Sequence, residues 1–120
     1  MASRLEVAAK YDVDVDSAEQ VAAFYDMLFR AWDESPAGER SDPNTSINLV
    51  GIVFGEHIVR RTSMRWVVAT DSAGTELAVF DPETTFLVYP ANAVAKRWTN
   101  SEPGAFIVAM ADDIATRLSE

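Results

Sequence analysis

Glu56 and His57 stand side by side in a 120-residue chain that holds no other histidine. A histidine next to a carboxylate can act as a general base, with the imidazole taking a proton and the acid orienting the ring. One histidine cannot supply a His-His-carboxylate zinc site, and no serine or threonine nearby sits in a nucleophile elbow. Cysteine is absent, which removes thiolate catalysis, disulfides and Cys-ligated zinc or iron–sulfur centres. Basic side chains gather in two places: Arg60, Arg61 and Arg65, then Lys96 and Arg97, with Glu102 just beyond. Arginine forks suit carboxylate or anion recognition, and arginines at a helix end also offset the helix dipole. The candidate binding set is therefore Glu56, His57, Lys96, Arg97 and Glu102. Pairing of Glu56 or Glu102 with Lys96 or Arg97 is expected. No residue is assigned as catalytic, no metal ligand is named, and no cofactor is implied.

Other groupings carry less. Asp12, Asp14 and Asp16 imitate the start of a calcium loop, but the sixth and twelfth positions, which need glycine and glutamate, are Ser17 and Ala23. Gly51 and Gly55 lack the Lys-Ser/Thr that would follow in a phosphate-binding loop. Trp32, Trp66 and Trp98 fall at core-like positions.

These residues need elements to hold them. Ala2 to Lys10 reads equally as a short helix or an extended arm. Tyr11 to Asp16 alternates acids and valines, which is strand periodicity. Asp16 as N-cap with Glu19 three residues on makes a capping box. Val21, Phe24, Tyr25, Leu28, Phe29 and Trp32 then recur at helical spacing, and Ser35 to Gly38 ends that helix. Asp42-Pro43 opens a second helix over Asn44 to Arg61. Its two glycines would each cost about 1 kcal/mol relative to alanine, so another element should pack closely over them, either the Trp66 strand or the preceding helix.

Ser63 to Thr70 alternates Met64, Trp66 and Val68 against Arg65, Val67 and Ala69, which predicts a strand with Trp66 in the core. Asp71 to Gly74 is a hairpin loop, Thr75 to Phe80 the returning strand, and Thr85 to Tyr89 a third. Pro90 opens a short helix to about Trp98, and Ala105 to Leu118 forms the last. The expectation is one α+β domain, residues 1-120, in which a three-stranded antiparallel meander is packed with helices in the order α-α-β-β-β-α-α.

The middle of the chain is similar to a known family. Gly51-Ile52-Val53-Phe54-Gly55-Glu56-His57-Ile58-Val59, Trp66-Val67-Val68-Ala69-Thr70-Asp71, Gly74, Tyr89-Pro90, and Ala95-Lys96-Arg97 with Glu102 behind resemble an uncharacterised family of small bacterial proteins. That family is known only as a domain of unknown function, and the resemblance runs over roughly residues 47-106. Ser72 and Ala73 depart from it in the hairpin loop. It implies a fold and matching acids and bases, and no activity.

The formal net charge is −9. It disfavours nucleic acid and anionic membranes as partners and favours a basic protein partner. With no cysteine and an N-terminus unlike a secretory signal, a cytoplasmic location is expected. The leading expectation is a protein-binding or interaction module, in concrete form an acidic inhibitor or immunity-type protein. The alternative is a small enzyme or ligand-binding domain using Glu56, His57 and the Lys96/Arg97 cluster.

Overall fold

A computed structural model describes residues 4–72 and 74–119. Met1 to Ser3, Ala73 and Glu120 lie outside the described residues, so the expectations for Ala2 and for part of the hairpin loop are not addressed. The chain runs α1 (Arg4–Lys10), α2 (Ala18–Asp33), α3 (Asn44–Arg61), β1 (Arg65–Asp71), β2 (Gly74–Phe80), β3 (Leu87–Val88), α4 (Pro90–Thr99) and α5 (Ala105–Leu118). A single 3-10 turn at Ala37–Glu39 joins α2 to α3. The three strands form an antiparallel meander in the order β1-β2-β3, flanked in sequence by helices. The fold is α+β as the patterning predicts, and the ambiguous first segment is a helix where it is described.

Local chemistry explains the element starts, with two corrections. Tyr11 to Asp16 is not a strand. Asp12 takes φ 56, the Val13 N–H donates to the Ala8 carbonyl, and the Ser17 N–H donates to the Asp14 carbonyl. The alternating valines instead make a strap that buries Val15 in the core. The N-cap of α2 is Ser17 and not Asp16. The Ser17 hydroxyl accepts from the Gln20 N–H, and the Gln20 side chain reaches back to the Asp14 N–H. That is a displaced capping box, one residue later than the acidic residues suggest. At α3 the Asp42 carboxylate accepts from the Asn44 N–H at 3.0 Å while Pro43 already has helical angles, as a cap followed by proline requires.

The two glycines of α3 are the positions of closest approach. A Cβ on Gly51 would lie 2.7 Å from the Ala91 Cα, and one on Gly55 would overlap the Trp66 ring and lie 3.1 Å from Pro90. Glycine therefore lets α3 pack directly under β1 and the start of α4. Val79 and Val88, neighbours across the β2–β3 ladder, are buried on the same sheet face as Trp66. Behind α3, an aromatic group joins α2, α4 and α5. Trp98 takes Tyr25, Phe29 and Trp32 edge-on at 5.7, 5.0 and 5.6 Å, and Phe106 meets Tyr25 at 5.2 Å.

The expected alternation in β1 holds for Met64 and Trp66 but fails at Val68, which is 65% exposed. The hairpin runs beyond the helices beneath it, so its outer half has nothing to pack on. The third strand is also shorter than predicted, Leu87–Val88 in place of Thr85 to Tyr89. Asp81 takes over the preceding turn: its carboxylate accepts from the Thr84 hydroxyl at 2.6 Å and the Thr84 N–H at 3.2 Å. Thr85 follows with φ 58, which breaks the extended run.

Candidate functional site

Glu56 lies on the last full turns of α3 and faces β1. Its carboxylate accepts from the Trp66 indole N–H at 3.0 Å and from the Arg60 Nε at 3.2 Å. Arg60 continues to Asp16, with its Nη1 3.3 Å from both carboxylate oxygens. Bonding first to Glu56 and then to Asp16 raises the Arg60 pKa further above its ordinary value. The described partners of Glu56 thus fix the Trp66 ring over Gly55 and tie the α2 strap to α3.

His57 points the opposite way. It is 2% exposed, and its Nδ1 lies 2.8 Å from the Val15 carbonyl. A carbonyl only accepts, so Nδ1 carries a proton and donates. Nε2 is also buried and has no hydrogen-bond partner among the described residues. His57 therefore staples the strap to α3 with its ring closed off from solvent.

Lys96 and Arg97 occupy the last turn of α4. Lys96 is exposed. Arg97 lies over the Phe106 ring at 5.5 Å and reaches Glu102 at 3.9 Å, both side chains about 40% exposed (42% and 40%). The loop carrying Glu102 is pinned by its backbone: the Glu102 carbonyl accepts from the Tyr25 hydroxyl at 2.8 Å, and its N–H donates to the Arg97 carbonyl at 2.9 Å. Burial, then the charges of Asp26 and Glu102, push the Tyr25 phenol up to about 12.

The five sequence-selected residues thus fall into two groups. The Arg97–Glu102 pair forms as expected, as a surface ion pair worth about 0–1 kcal/mol. Glu56 is engaged with Arg60 and Trp66, and His57 with Val15. The two basic clusters line no common cavity among the described residues. Arg61 pairs with Asp112 at 2.7 Å, and the shallow groove of about 370 Å³ that holds Lys96 and Arg97 is otherwise lined by Phe86, Tyr89, Asn92 and Met110 among others.

A separate concavity lies elsewhere. A cleft of about 290 Å³ opens under the hairpin, between α3 and the start of α4. Ile52, Trp66, Leu77, Pro90 and Ala91 line it together with Gly51, and Asn48 and Glu76 are the polar residues of the lining. β3 stops at Val88, so the β2 residues Glu76 and Leu77 have no strand paired to them on that edge. Sequence reasoning missed it. The available signal was Gly51, whose close packing was predicted and which lines the cleft where α3 meets Ala91. Ligand sites of this kind are concave, mainly apolar and carry few polar groups.

The model of a family described as Domain of unknown function (DUF3806) matches residues 26–108, from the middle of α2 to the first turn of α5. The match covers Glu56, His57, Lys96, Arg97, Glu102 and every residue of the cleft. No curated protein and no solved structure gave a match.

Proposed function

The chain belongs to the DUF3806 family, and from that premise we propose that it is a protein-interaction module acting in the cytoplasm, with the cleft under the hairpin as its binding surface. The single observation that supports this reading is that cleft: apolar residues from four elements around a volume of about 290 Å³, with Glu76 as the one acidic residue in its lining. It suits one aliphatic or aromatic side chain of a partner, with a lysine or arginine beside it to meet Glu76. The net charge of −9 favours a basic partner in the same sense, since long-range fields steer oppositely charged proteins together. An acidic inhibitor of a basic protein is the concrete form of this reading. No helix among the described residues is long and apolar enough to cross a membrane, and the absence of cysteine suits a reducing compartment. The enzyme alternative needs His57 as an accessible base, and His57 is buried and committed to Val15.

The test is selection of a displayed peptide library on the immobilised protein. Enriched peptides should carry an apolar residue next to a basic one. Ile52→Glu and Glu76→Lys should each weaken their binding by about tenfold or more, the loss expected when the centre of an interface is disrupted, and Lys96→Ala should leave it unchanged. Peptides that bind the wild type and Ile52→Glu equally well would contradict the proposal.

A further inference from the structure

The open edge of β1 is a second interaction surface, independent of the cleft, and its occupant can be read from its own sequence. β1 has seven residues, Arg65–Asp71, and its register against β2 is unbroken from Arg65↔Phe80 to Asp71↔Gly74. Proteins ordinarily protect such an edge with a short strand, a proline, an inward lysine or a bulge. The other edge of this sheet does so: β3 has two residues and runs straight into Pro90. β1 has none of these devices, and Val68 at its centre is 65% exposed.

The hairpin closes across a two-residue loop on the pair Asp71 and Gly74, which must therefore be a hydrogen-bonded pair. Counting back through the alternation of an antiparallel ladder, Val67 and Ala69 turn their backbone groups toward β2. Val68 and Thr70 turn theirs to the open side, and no backbone–backbone hydrogen bond from either to another part of the chain occurs among the described residues.

We propose that this edge pairs antiparallel with the same edge of a second copy, about a two-fold axis through Val68, to make a continuous six-stranded sheet. The strand is complementary to itself in that register. Val68 falls opposite Val68, Val67 opposite Ala69, Trp66 opposite Thr70, and Arg65 opposite Asp71. The two charges of the strand are thus matched at both ends of the interface, and the exposed valines meet at the axis. A two-fold interface demands this reciprocity, in which each residue meets its partner twice. The two-fold also lays the unsupported outer half of each hairpin beside the base of the other, where the helical body stands.

Sedimentation of the full chain over a range of concentrations tests the proposal. The wild type should be a reversible dimer. Val68→Pro should be monomeric with an unchanged circular-dichroism spectrum, because the lost N–H is one that faces away from β2 and proline is tolerated on an edge strand in that position. Arg65→Asp should weaken the dimer, by on the order of tenfold given two lost ion pairs at the interface, and Arg65→Asp with Asp71→Arg should restore it. Because the chain has no cysteine, Val68→Cys should form a disulfide-linked dimer on oxidation, as Cα atoms about 5.5 Å apart permit, whereas exposed Met27→Cys should not. A wild type that is monomeric at every concentration overturns the proposal. So does a dimer that survives the charge reversal and does not cross-link at position 68. If Val68→Pro fails to fold, the charge swap and the cysteine pair decide alone.

Discussion

Gly55→Ala is the most revealing substitution in the scaffold, because two physical effects oppose each other there. In an exposed helix the change would stabilise by up to about 1 kcal/mol, through helix propensity and a less flexible unfolded chain. In this position the new methyl would overlap the edge of the Trp66 ring and lie 3.1 Å from Pro90. Trp66 cannot simply tilt away, since its indole N–H is bonded to Glu56 at 3.0 Å. Either the ring moves and a hydrogen bond to a charged acceptor, worth about 1.5–3 kcal/mol, is strained or lost, or α4 is pushed off α3, an overpacking cost of about 1–3 kcal/mol. After subtracting the propensity gain, the net loss should be about 0.5–2 kcal/mol. For a domain of this size that is a fall in melting temperature of roughly 2–10 °C. Thermal unfolding followed by circular dichroism measures it. The decisive control is the same substitution in a Trp66→Leu background, where the obstructing ring is gone and the penalty should shrink or reverse. A Gly55→Ala protein that melts at or above the wild-type temperature would refute the packing argument. A penalty undiminished by Trp66→Leu would refute the assignment of the clash to that ring.

Three further outcomes follow from single sites. Gly104→Ala should lower the urea midpoint by an amount equivalent to about 1–3 kcal/mol, because a Cβ there would lie 2.6 Å from the Ala22 carbonyl oxygen and crowd Asp26, whose carboxylate accepts the Gly104 N–H at 2.7 Å. The hydroxyl of Thr84, more than any other group, holds the Asp81 pKa below its ordinary value. Its contribution is therefore fully present above the unfolded carboxylate value of about 3.9 and is lost as pH falls toward the folded pKa, so Asp81→Asn should flatten the acid limb of a stability-against-pH curve. Tyr25 has the opposite sign. With its phenol at about 12 in the fold, its stabilisation is complete below the free value of about 10 and is lost as pH rises through 12. A spectroscopic titration of tyrosinate should show one of the three tyrosines ionising late, and Tyr25→Phe should remove that step.

Most of the architecture was legible because periodicity and caps agreed. The boundaries of α3 and α5 are those read from the apolar stripe of Asn44 to Arg61 and of Ala105 to Leu118, and the hairpin of the meander followed from Asp71-to-Gly74 turn chemistry. The failures have local causes. Valines alternating with acids at Tyr11 to Asp16 look like a strand whether they face a sheet or thread a strap over a helix, and only the Val15 carbonyl's contact with His57 tells the two apart. Val68 fits the inward pattern but outreaches the helices, a matter of element length that no pattern encodes. At the candidate site, charge alone could not predict pairing. Arg97 and Glu102 met because five residues of turning chain bring them together. Glu56 turned instead to Arg60, four residues on along its own helix, and to a tryptophan that had been read only as core. The cleft was illegible because it forms where α3, β1, β2 and α4 meet, which no local pattern encodes.

The central claim, that the cleft and not the His57 or Lys96/Arg97 regions is the binding surface, is tested most directly by a two-dimensional nitrogen–proton NMR titration of the labelled protein with a selected peptide. The Trp66 indole resonance and the amides of Asn48, Ile52, Leu77 and Ala91 should shift progressively with peptide, while those of His57, Lys96, Arg97 and Glu102 stay in place. Shifts centred on Lys96, Arg97 and Glu102, with the Trp66 indole unmoved, would contradict that claim.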